Sequence, residues 1–144
     1  MEENKLSVDD KMYLITRGLC ETIAMDEVKE KLDRGDQLTC YLGMEPTRSP
    51  SLGYLIPMMK LKDLILADLN VIVFLADVHA FLNKGQDVIN RTFDRTKYYK
   101  FIIEELLKLV GIERVIKLSE DNTVETYTFV CGSDVQLSKK YTLY

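Results

Sequence analysis

The sequence predicts an α/β domain built on a parallel sheet, and three observations carry that prediction. The stretch Asn70-Val71-Ile72-Val73-Phe74-Leu75-Ala76 is a continuous apolar, β-branched run, the pattern of a strand buried on both faces. A long amphipathic pattern follows it, over residues 87–110. A short strand-like segment and a proline-bearing loop precede it. Strand, helix, strand, long helix, strand is the order that right-handed crossovers of a parallel sheet require.

Element by element, residues 8–34 carry Met12, Leu14, Ile15, Leu19, Ile23, Val28 and Leu32 at helical spacing behind leading acidic residues, which predicts two helices. Gly35 suits a helix stop, and residues 38–43 then read as a short strand ending in Gly43. The loop over residues 44–50 holds Pro46 and Pro50 and leads to Ser51, a candidate helix cap. A helix over about residues 52–67 either begins after Pro57 or carries that proline in its first turns. The buried strand follows. In the long helix Phe93, Thr96, Tyr99, Ile103, Leu106, Leu107 and Val110 share one side, Arg95 and Lys100 lie elsewhere, and Gly111 closes it. A further strand pair is predicted at residues 114–118 and 126–131, separated by the polar turn Ser119-Glu120-Asp121-Asn122.

Composition narrows the function. At 144 residues and 47% hydrophobic the chain can bury a core as one domain-sized unit. No apolar run of about 18 residues suits a membrane span, and the polar, acidic start is unlike a secretory leader, so a cytoplasmic setting and no membrane partner are expected. Cys20, Cys40 and Cys131 are odd in number and lack C-x-x-C spacing, which predicts buried free thiols with no disulfide framework and no structural metal. A net charge of −4 excludes a broadly basic nucleic-acid-binding surface.

Ligands of parallel α/β sheets bind beyond the carboxyl ends of the strands. Two segments sit there: residues 41–54, YLGMEPTRSPSLGY, and residues 76–85. The first combines a strand end, a glycine, a loop and a helix start, an arrangement that offers backbone N–H groups and a helix dipole to an anion such as a triphosphate. The same glycine and prolines also suit a loop that is merely shaped by them. Neither G-x-x-x-x-G-K nor G-x-G-x-x-G is present.

Read together, the segments resemble a family. Tyr41-Leu42-Gly43-Met44-Glu45-Pro46-Thr47 with Ser51-Leu52-Gly53-Tyr54-Leu55-Ile56-Pro57 is similar to the stretch of tyrosyl-tRNA synthetases, of the archaeal and eukaryotic type, that contains the class I HIGH signature. Phe74-Leu75-Ala76-Asp77-Val78-His79-Ala80-Phe81-Leu82 resembles their L-A-D-L-H-A-[YF]-L segment, and residues 95–101 the helix that follows. Gly132-Ser133-Asp134-Val135-Gln136-Leu137-Ser138-Lys139-Lys140-Tyr141-Thr142-Leu143 resembles G-[TS]-D-Y-Q-L-S-K-x-Y-T-L. Four matches in the family's order cover residues 38–144.

The resemblance implies a Rossmann-like parallel sheet with helices on both faces, the class I synthetase catalytic core in incomplete form. Residues 1–37 would be an N-terminal helical segment and residues 38–144 the first half of the catalytic domain. It implies that Tyr41 lines the tyrosine pocket and meets the substrate phenol, that Gly43 lets the backbone approach ligand, and that Asp77 and His79 stand at the pocket rim. Glu45, Pro46, Thr47, Ser51, Gly53 and Tyr54 fall to ATP, the last three at the HIGH position, where adenylate formation is promoted by charge stabilisation. ATP with magnesium would be a substrate, with no bound cofactor; tRNA-Tyr would be a partner, and the whole protein a homodimer.

Two departures matter. Ser51 stands where the family usually has the first histidine of the tetrad, which predicts a weakened activation step, while Tyr54 is in keeping with eukaryotic members. The family's KMSKS loop and Y-x-x-Q-x-x-D region do not occur in these residues. The chain alone is therefore expected not to complete tyrosine activation. The alternative is a non-catalytic synthetase-like binding or assembly module with a degenerate HIGH motif.

Overall fold

The computed structural model describes residues 6–84, 89–112, 116–118 and 123–138. Its centre is a three-stranded parallel sheet in the order β1 (Thr39–Met44), β2 (Asn70–Leu75), β5 (Thr128–Cys131). Thr39 pairs with Asn70 and Met44 with Leu75, and on the other side Val73 pairs with Phe129 and Leu75 with Cys131. The expected strand at 38–43 is displaced by one residue, so Gly43 lies inside the ladder opposite Phe74 instead of ending the strand.

Strands taken in one direction with right-handed crossovers send their connections to the same face. That face is closed by α3 (Leu55–Leu66) and α5 (Ile89–Leu109). Met58 and Leu61 from α3 and Tyr99, Ile103 and Leu107 from α5 pack there on Val71, Val73, Leu75 and Met44, with Tyr127 and Cys131 completing the core. Burial pushes the Cys131 thiol up from its usual range, and the Cys40 thiol likewise. Cys20, by contrast, is exposed, against the expectation of a buried thiol.

The opposite face carries the alternate residues of each strand. Tyr41 is 76% exposed, Gly43 is exposed, and Ile72, Phe74 and Val130 are half-buried. Phe74 is approached by the start of α6 (Gly132–Gln136): a Cβ on Gly132 would lie 3.5 Å from Phe74 Cζ.

Pro57 sits in the first turn of α3, after a single 3-10 turn over Leu52–Tyr54, where its missing N–H would have no helical partner in any case. The N-terminal segment forms two helices, α1 (Val8–Thr16) and α2 (Met25–Asp33), whose Ile15 and Leu32 bury against Ala67 with Val28, Leu64 and Leu69 around them. Leu19 and Ile23 are not on either helix. α1 ends at Thr16, Arg17 leaves the helical conformation at ψ 139° and Gly18 then turns left-handed at φ +72°, leaving Ile23 79% exposed in the connection. Gly35 does close α2: at φ +80° it donates to Leu32 O while Asp36 donates to Lys31 O, the paired bonds of a Schellman end.

Helix α3 is the hub between these parts. Lys60 Nζ donates to Leu14 O and Arg17 O at the end of α1, and Lys62 Nζ donates to Val110 O at the end of α5. Each ammonium meets carbonyls that a helix end leaves unpaired. Loss of solvent lowers the Lys60 pKa. Buried Asp63 accepts both Nε and Nη2 of Arg17, and the hydrogen bond to that carboxylate raises the Arg17 pKa.

Three elements differ from expectation. Residues 76–85 are expected beyond the end of the buried strand with no helix assigned to them, but Asp77–Lys84 is a helix, α4. Residues 116–118 and 126–131 do not pair. Ile116–Leu118 (β3) runs antiparallel to Thr123–Glu125 (β4) in a separate ladder, and the second segment joins the central sheet as β5. Gly85, Asp87, the 119–122 turn and residues 139–143 of the last family-like segment lie outside the described residues, as does the side chain of Phe93.

Candidate functional site

The segments after β1 and β2 meet at the carboxyl ends of those strands. Ala76 N donates to Met44 O at 2.8 Å, which extends the ladder one step and sets the start of α4 beside the loop at residues 45–50. Glu45 then reaches α4: Asn83 Nδ2 donates to its Oε1 at 3.0 Å, and His79 Nε2 lies 3.9 Å from its Oε2. Asn83 is one turn beyond His79 on the same helix face, so two side chains converge on one carboxylate. The His79 side chain is itself 64% exposed.

Asp77 behaves differently. It is 2% exposed, and its Oδ1 accepts from Val78 N at 2.9 Å and Ser133 N at 2.8 Å, while Oδ2 accepts the Ser133 hydroxyl at 2.6 Å. Three donors fix both oxygens and tie the end of β2 to the start of α6. Gly132 is required by this joint, because a Cβ there would come within 2.9 Å of Gln136 Oε1 and 3.0 Å of Asp77 Oδ1.

On the open sheet face Tyr41 projects from β1 two residues before Gly43. An added Cβ at Gly43 would meet nothing within 4 Å, and its φ is not in the left-handed region. Neither backbone geometry nor packing among the described residues demands glycine there. What its missing side chain leaves is open space on the sheet face that also carries Tyr41.

The loop that leads to α3 is held from α5. Arg95 Nη1 donates to Thr47 O at 3.0 Å, and the Tyr99 hydroxyl donates to Arg48 O. Tyr99 is 1% exposed, stands edge-on to Tyr54 at 5.8 Å between ring centroids, and has its hydroxyl 3.3 Å from that of Tyr54. Burial, reinforced by the Tyr54 contact, pushes the Tyr99 pKa up to about 12. Thr47 N donates to Glu45 O, and Pro46 is fully buried, so the loop enters in one fixed path.

Ser51 occupies the cap position of the 3-10 turn, and its carbonyl accepts from Tyr54 N at 3.0 Å. Its side chain makes no capping hydrogen bond, contrary to the expected cap, because the turn it precedes is too short and tight to aim a free N–H at it. Its hydroxyl instead stands 3.4 Å from where a Cβ of Gly53 would be, with both residues exposed.

Thus Glu45 and His79 are brought together, Tyr54 is joined to the loop through Tyr99 and Arg48 O, and Asp77 is drawn away into the joint with Ser133. Arg95, Tyr99, Asn83 and Ser133 were not singled out as site residues from sequence. The i, i+4 spacing of Arg95 with Tyr99, and of His79 with Asn83, was the available signal. Among the described residues no cluster of His, Cys, Asp and Glu has the arrangement of a metal site, and no helix is long and apolar enough to cross a membrane.

Comparison with known proteins gives this geometry its context. The family described as tRNA synthetases class I (W and Y) matches residues 33–144. A probable cytoplasmic tyrosine–tRNA ligase of Encephalitozoon cuniculi is 34% identical over 138 residues, which are 96% of this chain and 38% of that protein. The cytoplasmic tyrosine–tRNA ligase of Danio rerio is 34% identical over 139 residues, 96% of this chain and 24% of its own length. Among solved structures, tyrosyl-tRNA synthetase of Archaeoglobus fulgidus, complexed with L-tyrosine, superposes with a TM-score of 0.75 at 28% identity, over 96% of this chain and 39% of that one. The chain therefore spans well under half the length of these relatives. With its parallel sheet, its loop after β1 and its family-like segments all accounted for in one match, the chain belongs to the class I tRNA synthetases of the W and Y family.

Proposed function

We propose that these residues supply the tyrosine-facing strand and the ATP-facing loop of a tyrosine–tRNA ligase. The observation that carries this reading is Tyr41. An aromatic residue 76% exposed on a strand, beside a glycine with open space above it, is poorly explained as core and well explained as one wall of a ligand site. The tyrosine bound by the Archaeoglobus fulgidus relative supports the choice of ligand. The Tyr41 hydroxyl pairs with the phenol of the substrate, and phenylalanine is rejected because it would leave that hydroxyl without its partner.

In the reaction, the tyrosine carboxylate attacks the α-phosphate of ATP and pyrophosphate departs, giving tyrosyl-adenylate; the tyrosyl group then passes to tRNA. No protein nucleophile takes part. The chain's role is to position the two substrates and to favour the charge that builds on the phosphates. Residues 45–54 lie against the triphosphate, with magnesium accompanying ATP, and the Ser51 hydroxyl offers one donor where relatives use an imidazole. His79, beside Glu45, stands at the rim of the tyrosine pocket, and Asp77 acts on it by fixing where α4 and α6 begin. Residues 1–37 form a helical segment that braces α3 through the apolar cluster that Ile15 and Leu32 share with Ala67, and residues 38–144 the first half of the catalytic domain. The active protein is a cytoplasmic homodimer in this reading, and tRNA-Tyr is its macromolecular substrate.

Amide chemical-shift mapping on the 144-residue chain tests the assignment. L-tyrosine should move the amides of 39–44 and 76–80, and Mg-ATP those of 45–54. Shifts by either ligand confined to α1 and α2, or none at millimolar concentrations, would remove it.

A further inference from the structure

A phenol has one proton to donate, and that count fixes the direction of the contacts around Tyr99. Its hydroxyl donates to Arg48 O, and a carbonyl can only accept. The 3.3 Å contact with Tyr54 must then use the Tyr54 proton, with Tyr99 accepting. Tyr54, at the last place of the HIGH-like tetrad, thus has its single O–H directed inward, away from any phosphate.

One helical turn before Tyr99, Arg95 takes the preceding carbonyl, Thr47 O, at 3.0 Å. Two successive loop carbonyls are therefore drawn toward one face of α5, one by a guanidinium and one by a buried phenol. Carbonyl oxygens are the backbone groups that repel an anion, and N–H groups are those that attract it. Binding the former to fixed donors prepares the loop for a phosphate before one arrives, and the Arg95 charge adds to the same effect.

We propose that Arg95 and Tyr99 are positioning residues that hold residues 45–51 in the conformation that receives the triphosphate, with the Tyr54 hydroxyl a member of this clamp instead of a phosphate donor. The inference rests on the assignment of this loop to ATP. Neither α5 residue touches the nucleotide; both act through the backbone they hold.

The test is amide hydrogen exchange and Mg-ATP titration on the 144-residue chain and on Arg95→Met, Arg95→Lys and Tyr99→Phe. Arg95→Met keeps the length of the side chain without a donor, and Arg95→Lys restores one donor. Exchange at residues 45–52 should quicken about tenfold in Arg95→Met and in Tyr99→Phe, with β2 amides unchanged, and ATP affinity should fall by a similar factor. Arg95→Lys should recover part of both, a rescue that general destabilisation would not give. Unchanged loop exchange in Arg95→Met would overturn the clamp, as would a loosened loop with undiminished ATP affinity. An original chain whose 45–54 amides ignore ATP contradicts the ATP assignment and the nucleotide half of this inference with it, whereas the exchange comparison between variants judges the clamp without nucleotide.

Discussion

Gly132 and Gly43 both fall in segments that match the family, and they serve opposite needs. At Gly132 a side chain has no room, with Asp77 Oδ1 and Gln136 Oε1 within 3.0 Å of a Cβ. At Gly43 a side chain would meet nothing. The joint of Asp77, Gly132 and Ser133 is closed, with each carboxylate oxygen met by a donor, and its residues explain themselves by the fold they hold together. The face of Tyr41 and Gly43 is open, and its residues have no such explanation among the described residues. A motif match does not distinguish these two kinds of residue. Contact distances do.

Breaking the closed region should have the largest effect. Asp77→Ala leaves the Ser133 N–H and hydroxyl and the Val78 N–H without their acceptor, and should cost about 2–4 kcal/mol in urea-unfolding stability. A cost under about 0.5 kcal/mol would mean that solvent replaces the carboxylate freely. Gly132→Ala should cost about 1–3 kcal/mol, since Gln136 can swing aside but Asp77 cannot without losing its bonds.

The same substitution in the open region sharpens the contrast. Gly43→Ala should leave unfolding stability within about 0.5 kcal/mol of the original, or raise it slightly, because alanine suits a strand better than glycine. It should nonetheless weaken L-tyrosine binding about tenfold or more by filling open space on the face of Tyr41. A loss of stability as large as that of Gly132→Ala would show that the two glycines are alike after all.

A smaller effect is expected between the two regions, at Tyr99. Its folded-state pKa of about 12 lies above the usual phenol value of 10.0. The protonated form is the one favoured in the fold, so its contribution is complete below pH 10 and is lost as pH rises toward 12. Unfolding stability should therefore fall more steeply over that interval in the original chain than in Tyr99→Phe. Equal slopes would place the phenol in solvent.

Much of the closed region was legible in the sequence. The 3.6-residue period of α5 reported its buried side directly, because it is long enough for a pattern to show, while the apolar run of β2 reported one buried face and overstated the other, where Ile72 and Phe74 are half-buried. The joint itself was not legible: Asp77 and Ser133 are 56 residues apart, and nothing local says that one carboxylate will accept two bonds from the other. Helix α4 was missed because its eight residues begin at a strand end and read equally as loop. β3 falls inside the strand expected at residues 114–118, whereas β4, at three residues, is below the length at which alternation can be seen. Leu19 and Ile23 keep helical spacing across Arg17 and Gly18, whose extended and left-handed conformations end the helix that the spacing implied. In the open region the identities of Tyr41, Gly43, Glu45 and His79 stood out by resemblance, but their exposure did not, and neither did the hold of Arg95 and Tyr99 on the loop.

The most direct test of the open face as a tyrosine site is substrate discrimination. ATP–pyrophosphate exchange driven by L-tyrosine and by L-phenylalanine should be measured on the longest natural polypeptide that carries this sequence, with and without Tyr41→Phe. If the Tyr41 hydroxyl faces the substrate phenol, the substitution lowers the preference for tyrosine by about tenfold or more while unfolding stability stays within about 0.5 kcal/mol. An unchanged preference would contradict the account.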